Sequence, residues 1–357
     1  MLSMNLNIID RILSKITYDV GIDLGTSSTL VSVKGIGIVA QEPSVVAINR
    51  DTNQVLAVGN EAKKMIGRTP ANVVAMRPLR DGVIQDFEST EAMLKYFIEK
   101  IHLHTKGFKL PRPRVVIGIP SSVTEVEAKA VIDAALSAGA RAAYTIEEPV
   151  AAAIGSGLKI SEARGCMIID IGGGTSDIAI LSLGGIVIDK TIRIAGDEMD
   201  EAIVEYIKNK YALLIGERTA EELKIKIGSA FPLSKETVSN VSGRDLLSGL
   251  PKTIEISSSE VREALLVVLN QIALSAKSAL EEAPPEILSD LLGSGIMMAG
   301  GGAMLYGIDK FFESKLNTPV HIAQDPITSV VKGCNMVLDQ IDLFKKLKVQ
   351  EEDYKID

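Results

Sequence analysis

The chain has 357 residues, 46% of them hydrophobic, enough for two domains with a core each and too many for a disordered polymer. Its formal net charge of −8 excludes nucleic acid as the main partner, because a phosphate backbone demands clustered Lys and Arg. Cys166 and Cys334 lie in apolar segments without metal-ligand spacing, and no apolar run approaches the roughly 18 residues that span a bilayer, so reduced thiols and a non-integral protein are expected.

In chain order, the opening MLSMNLNIIDRILSKI is too polar for a secretory segment and reads as an amphipathic helix. Its stripe of Leu2, Leu6, Ile9, Leu13 and Ile16 suits either docking on the protein's own core or lying on a membrane surface. Strands are expected at 18–24, 28–33, 35–40 and 43–48, punctuated by Gly and Ser as in a meander. A helix over 88–101, capped by Asp86, carries Met93, Leu94, Phe97 and Ile101 on one face. A buried strand at 115–120, a helix from 124 to 137 ending at Gly139 and a strand at 142–146 follow. The second half repeats this logic with strands at 167–171 and 177–182 and a helix over 197–213, and a polar stretch, ISSSEV at 256–261, interrupts it. Mixed strands and helices in two similar halves predict a duplicated α/β fold with a cleft between packed, hinged lobes.

The halves share a turn. GIDLGTSSTLVSV at 21–33 and IIDIGGGTSDIAI at 168–180 each place an apolar strand, an Asp, a Gly-rich turn and a second strand in succession. Each tip would present backbone N–H groups to an anion, and two tips facing each other would clamp a polyphosphate. In the first, Gly25 lets the backbone approach while Thr26 and Ser27 add donors, and Asp23 stands where a carboxylate holds a hydrated Mg²⁺. Asp170, Gly172, Gly173, Gly174 and Thr175 repeat the arrangement. Between the turns, EEPVAAAIGSG at 147–157 predicts a short Ala-rich helix with Pro149 at its first helical position and Glu148 at its cap. There Glu148 either orients a water against a γ-phosphate or merely complements the helix dipole. A third glycine cluster, IMMAGGGAML at 296–305, would let a base and sugar lie against the backbone. In RTAEELKIKIGSA, Glu221 and Lys224 stand one helical turn apart, facing a nucleoside or forming a surface ion pair.

This set, in this order, resembles the actin-like ATPases and within them the MreB family of bacterial actins. The resemblance runs from about residue 19 to 340 through GIDLGTSSTLV, EPSVVAI, MRPLRDGVIQDF, PRVVIGIP, TEVEAKAVIDAALSAGA, IEEPVAAAIG, IDIGGGTSDIAILSLG, RIAGDEMDEAIVEYI, GERTAEELKIKIG, SGLPKTIEI and AGGGAML. It implies a duplicated, two-lobed actin-like (ribonuclease H-like) α/β fold with a central nucleotide cleft. It implies four subdomains: 1–46, 81–160 and 332–357 (IA), 47–80 (IB), 161–200 and 262–331 (IIA), and 201–261 (IIB).

By the same resemblance ATP and Mg²⁺ are the cofactors. Gly25, Thr26 and Ser27 form the first phosphate loop and Gly172, Gly173, Gly174 and Thr175 the second. Gly300, Gly301, Gly302, Ala303 and Met304 form the adenosine loop, and Glu221, Glu222, Leu223 and Lys224 contact the nucleoside. Glu148 and Thr175 position the hydrolytic water, with Asp23 and Asp170 flanking the metal through water. The chain reads SSTL, GTSD and KIKIG where the family commonly has ANTL, GTTE and KIEIG. The first two keep small polar or acidic groups and bear on rate more than chemistry; the third swaps a charge beside the nucleoside segment.

The resemblance further implies an ATPase that polymerises with itself into cell-shape-determining filaments, cytoplasmic and peripheral at the inner face of the membrane. Paralogous filament subunits and membrane morphogenesis proteins are its further expected partners. In KGFKLPRPR at 106–114, Phe108 and Leu110 alternate with cations each worth about 1 kcal/mol near anionic lipid, so this loop is the expected membrane contact. The tail from 341 is apolar and basic, then acidic, which suits a tunable second anchor or a solvated end. Two alternatives remain at this level: a slowly hydrolysing paralogue serving as a structural filament subunit, and a superfamily small-molecule kinase, which would need an acceptor pocket and its own general base. A chaperone-type ATPase would need a peptide-binding domain after the nucleotide lobes, and none is expected here.

Overall fold

Residues 19–33 and 166–182 are rich in β-branched side chains broken only by small turn residues, and each stretch folds as an antiparallel pair. The computed structural model describes residues 17–80, 82–104, 112–339 and 350–353. The chain divides into two compact units, one that runs to Leu158 and resumes at Thr328, and one of Lys159–Ile327.

The first unit contains β1 (Asp19–Leu24), β2 (Ser28–Val33), β3 (Gly37–Pro43), β4 (Val46–Asn49), β5 (Val55–Val58), α1 (Asn60–Met65), β6 (Val73–Met76), β7 (Leu79–Arg80) and β8 (Val83–Ile84). It continues with α2 (Phe87–His104), β9 (Arg114–Ile119), α3 (Glu125–Ser137), β10 (Ala142–Glu147) and α4 (Glu148–Gly155). The second unit contains β11 (Cys166–Ile171), β12 (Ser176–Ser182), β13 (Gly185–Ile192), α5 (Gly196–Tyr211), β14 (Leu213–Leu214), α6 (Glu217–Ile227), β15 (Val238–Asp245) and β16 (Pro251–Ser257). After these come α7 (Ser258–Glu282), α8 (Pro285–Ser294), β17 (Ile296–Ala299), α9 (Ile308–Leu316) and β18 (Val320–Ile322), and the chain returns to the first unit as α10 (Ser329–Asp339) and β19 (Gln350–Asp353).

The duplication is a duplication of topology. The main sheet of the first unit has the order β19-β10-β9-β1-β2-β3, and that of the second β18-β17-β11-β12-β13. In both, three strands form an antiparallel meander and the first of them continues into two parallel strands. Strand alternation sends Val20 and Ile22 into a core with Phe97, Ile101 and Ile117, and leaves Gly21 and Asp23 on the opposite face, where α10 packs. In the second unit Met167, Ile169 and Ile171 join Ile203 and Ile207 of α5 and Leu265 and Ile272 of α7. There the alternation turns Asp170 to the other face.

The helix starts follow from capping. The Asp86 carboxylate accepts from Ser89 N–H at 2.7 Å, and Thr124 and Glu127 close a reciprocal capping box at the start of α3. The ISSSEV stretch, expected to interrupt the second half, instead joins β16 directly to α7: Ser257 caps the helix and the Glu260 carboxylate accepts from Ser257 N–H at 2.8 Å. The helix expected to reach 213 stops at Tyr211, because Ala212 takes a left-handed φ of 50° and Leu213 enters the core as part of β14. The strands expected at 35–40 and 43–48 begin two to three residues later, since Lys34, Gly35 and Ile36 form the hairpin turn and Ser44 lies in the next connection.

Candidate functional site

The two turns close in the same register. Asp23 pairs with Leu30 and Leu24 with Thr29, leaving residues 25–28 as a four-residue tip. Asp170 pairs with Asp177 and Ile171 with Ser176, leaving residues 172–175. Each Asp is therefore the second-last paired residue of its strand, and each also pairs with a parallel neighbour, Asp23 with Gly118 and Asp170 with Ala299.

In the first unit the tip is braced by side chains. The Ser44 hydroxyl donates to Gly25 O at 2.6 Å and lies 2.8 Å from the Thr29 hydroxyl, while Gly82 N–H donates to Thr26 Oγ1 at 3.1 Å. Thr26 is buried, and with its oxygen accepting from Gly82 its proton is left as the donor. Burial pushes the Asp23 carboxyl from 3.8 up to about 7. A Cβ on Gly118 would stand 3.3 Å from Glu148 Cγ and 3.8 Å from Cys334 Sγ, so the bare glycine gives the Glu148 side chain its room beside Asp23. Burial first, and then the negative charges of Asp23 and Glu148, hold the Cys334 thiol well above its usual range. The structure thus gathers Asp23 and Glu148 around Gly118 and Cys334. Glu148 is the first residue of α4, one past the expected cap, which is Glu147. Ala151 and Gly155 meet Ser329 and Gly333 of α10 backbone to backbone, the close helix contact expected of the small residues.

In the second unit the tip is braced by backbone. Gly172 N–H donates to Thr175 O at 2.9 Å, and the first amides of α5 bond back to the tip: Gly196 N–H to Gly172 O at 3.2 Å, and Asp197 N–H to Gly173 O at 2.7 Å. Thr175 is buried, and Asp177, the residue that departs from the family's usual Glu, is buried and accepts from the Thr191 hydroxyl at 2.6 Å. The third glycine cluster lies against the same strand end. Gly300 has φ 80°, and a Cβ there would fall 2.3 Å from Asp170 Oδ1 and 2.3 Å from Ile171 O. In the same turn Ala303 is buried, Gly301 has open space around it and Met304 is 63% exposed.

The segment expected to contact the nucleoside lies in α6 and splits by face. Leu223 is buried in the core, and Glu222 pairs with Arg218 at 3.0 Å on the exposed side. Lys224 donates to Gly196 O at 2.7 Å and pairs with Asp200 of α5 at 2.8 Å. Burial raises Asp200 from 3.8 to about 6 against the pull of Lys224, with Glu221 and Asp197 adding to the rise. Just past α6, Ala230 N–H donates to Tyr306 O at 2.8 Å, so the chain following α6 meets the chain following Gly300–Met304.

The sequence does not mark Ser44, Gly82, Gly118 or Asp200 as site residues, and it marks Cys334 only as a reduced thiol in an apolar segment. Only Gly118, in a GIP triplet ending a strand parallel to β1, carried a local hint. The expected membrane-contact residues Phe108 and Leu110, residues 1–16 and residues 340–349 lie outside the described residues.

Two sheets of one strand order, each with a glycine-tipped hairpin behind an Asp, define an actin-like fold. That class is shared with a crystal structure of MreB5 of Spiroplasma citri bound to ADP, with TM-score 0.87 and 37% identity over 92% of this chain and 98% of that one. A second MreB5 structure, bound to AMPPNP, gives TM-score 0.86 at 38% identity. The chain belongs to the MreB/Mbl protein family, whose model matches residues 17–346. It is 50% identical to the cell shape-determining protein Mbl of Bacillus cereus over 92% of this chain and 98% of the relative. It is 47% identical to the cell shape-determining protein MreB of Escherichia coli, over 91% and 94%.

Proposed function

We propose that this chain is a cytoskeletal ATPase that binds ATP with Mg²⁺, hydrolyses it and polymerises with itself into filaments at the inner face of the cell membrane. The observation that carries the reading is the pair of register-matched hairpin tips, each with its Asp two residues ahead of the first glycine. The ADP- and AMPPNP-bound MreB5 structures support the nucleotide, and the cell shape-determining relatives support the cytoskeletal role.

In this reading Gly25–Ser27 and Gly172–Thr175 bind phosphate oxygens through backbone amides, with the Thr26 and Thr175 hydroxyls as further donors. Gly300–Met304 and the 221–224 turn take the nucleoside. Glu148 orients the attacking water as general base and Thr175 holds it from the other loop. Among the described residues no three His, Cys, Asp or Glu side chains gather as a metal site. Asp23, its carboxyl raised to about 7 by burial, is a donor that fits a hydrated Mg²⁺ held by water, one or two carboxylates and phosphate. When bound, the ion would neutralise charge on the phosphates. In the same reading Phe108 and Leu110 provide the membrane contact, the chain comprises four subdomains, and paralogous subunits and membrane morphogenesis proteins are further partners.

The test is phosphate release by purified protein with ATP and Mg²⁺, with electron microscopy of the same sample. Filaments with phosphate release support the reading. Filaments without release favour the slowly hydrolysing structural subunit, and phosphate transfer to a small acceptor without any polymer favours the kinase.

A further inference from the structure

The brace on the first tip is itself held. Ser44 bonds the tip twice, through its hydroxyl to Gly25 O at 2.6 Å and through its N–H to Ser27 O at 3.1 Å. A trans peptide sends its C=O and N–H in opposite directions, so fixing these two carbonyls turns the Thr26 and Ser28 amides away from Ser44. Two residues earlier, near the end of β3, the buried Glu42 carboxylate takes three donors. They are the Lys100 ammonium and, at 3.2 Å, the Tyr96 hydroxyl from α2, and Asn60 N–H, at 3.1 Å, from the start of α1. On the far side of Ser44, Val45 O accepts from Gly59 N–H at 2.9 Å, and a Cβ on Gly59 would overlap the Glu42 carboxylate. Burial works to raise the Glu42 carboxyl, but Lys100, Asn60 N–H and Tyr96 outweigh it and hold it below its ordinary value, so the clamp is ionised at neutral pH. A buried ion pair adds little net stability over apolar groups of the same volume, so what this one supplies is position. Glu42, Pro43 and Ser44 are consecutive, and the locked φ of proline leaves little slack between clamp and brace.

We propose that Glu42 is a positioning residue for the first phosphate loop: clamped between α2 and α1, it sets Ser44, and Ser44 aims the Thr26 and Ser28 amides at the phosphates of the nucleotide. The inference rests on the reading of residues 25–27 as a phosphate loop and adds to it the side chains that hold the loop in its binding geometry.

The test compares the full chain as wild type, Glu42→Gln, Ser44→Ala, those two combined, Lys100→Arg, and the Glu42→Leu/Lys100→Met double variant. Gln keeps the shape of Glu42 but offers one acceptor oxygen to donors that converge on two. The Leu/Met variant replaces the ion pair by apolar groups of similar volume, so it folds even if an unpaired Lys100 destabilises Glu42→Gln. Without nucleotide, hydrogen–deuterium exchange in peptides covering residues 25–28 should be about five-fold faster or more in Glu42→Gln and in the Leu/Met variant, while peptides covering 172–175 stay within about two-fold of the wild type. AMPPNP binding with Mg²⁺ should weaken about five-fold or more in the same two variants, whereas Lys100→Arg, which keeps the ion pair, should stay within about two-fold. Combining Glu42→Gln with Ser44→Ala should cost less affinity than the sum of the single losses, as for residues acting in series. Exchange that is unchanged at 25–28, or that rises equally at both tips, would make the pair merely structural and overturn the proposal, as would additive losses. Faster exchange at 25–28 with AMPPNP affinity unchanged would overturn it too, and would locate the failure in the phosphate-loop reading. A wild type that binds no AMPPNP overturns the underlying function and the proposal together.

Discussion

The two hairpin tips share strand order, register and the position of an Asp, and they differ in what holds them. The first has one glycine and is braced by side chains, with the Ser44 hydroxyl on Gly25 O and Thr26 on Gly82 N–H. The second has three glycines and is braced by the backbone amides of Gly196 and Asp197 and by the close approach of Gly300. The two tips thus share strand register and the place of the Asp, while their supports differ. A side-chain brace fixes one tip against its own sheet, whereas a helix N-terminus leashes the other to α5 and, through Lys224, to α6. The first tip is the fixed one and the second is mechanically connected.

That contrast can be broken at specific residues. The largest effect is expected at Glu148: Glu148→Ala should lower the rate of phosphate release about 100-fold or more while nucleotide affinity stays within a few-fold, as for loss of a general base. Unchanged release would remove Glu148 from its role and leave the first unit with binding alone. Next comes Gly300→Ala, which adds a Cβ at φ 80° and 2.3 Å from both Asp170 Oδ1 and Ile171 O. It should cost about 2–4 kcal/mol in denaturant unfolding and disturb the second tip together with the Gly300–Met304 turn.

The pH dependence should be smaller and should belong to the second unit. Because Asp200 is raised from 3.8 to about 6, the folded chain binds its proton more tightly than the unfolded chain does. The stabilisation is full below about pH 4 and is lost as the pH rises through about 6. Relative to Asp200→Asn, the wild type should therefore lose on the order of 1–3 kcal/mol between those limits in denaturant titrations at stepped pH. A flat difference would contradict the burial of that carboxyl.

Ser44→Ala removes the brace on the first tip and should cost about 1 kcal/mol in denaturant unfolding. Gly301→Ala has open space around it and should change stability by less than about 0.5 kcal/mol, so any loss of nucleotide affinity there reports on the ligand alone.

Much of this was legible in the sequence because the signals are local. Period-2 apolar runs, Asp-x-Gly turns and a Pro beside Glu148 place strands, tips and the start of α4 within a few residues of where they form. ISSSEV misled because three serines look like a loop, although Ser257 and Glu260 at cap and third position are the residues that begin a helix. Nothing local connects Gly118 to Glu148, Ser44 to Gly25 or Asp200 to Lys224, since each pair is joined only when strands or helices distant in the chain pack together. Leu223 shows the same limit within one turn, for a helical segment read as nucleoside-facing must also give its apolar residue to the core.

Under the proposed function each tip contacts the nucleotide through its amides, and hydrogen–deuterium exchange reads those amides directly. Adding AMPPNP and Mg²⁺ to the full chain should slow exchange in peptides covering residues 25–28 and in peptides covering 172–175, with adenosine alone protecting neither. Protection at one tip only, or at neither while the nucleotide is bound, would contradict the account.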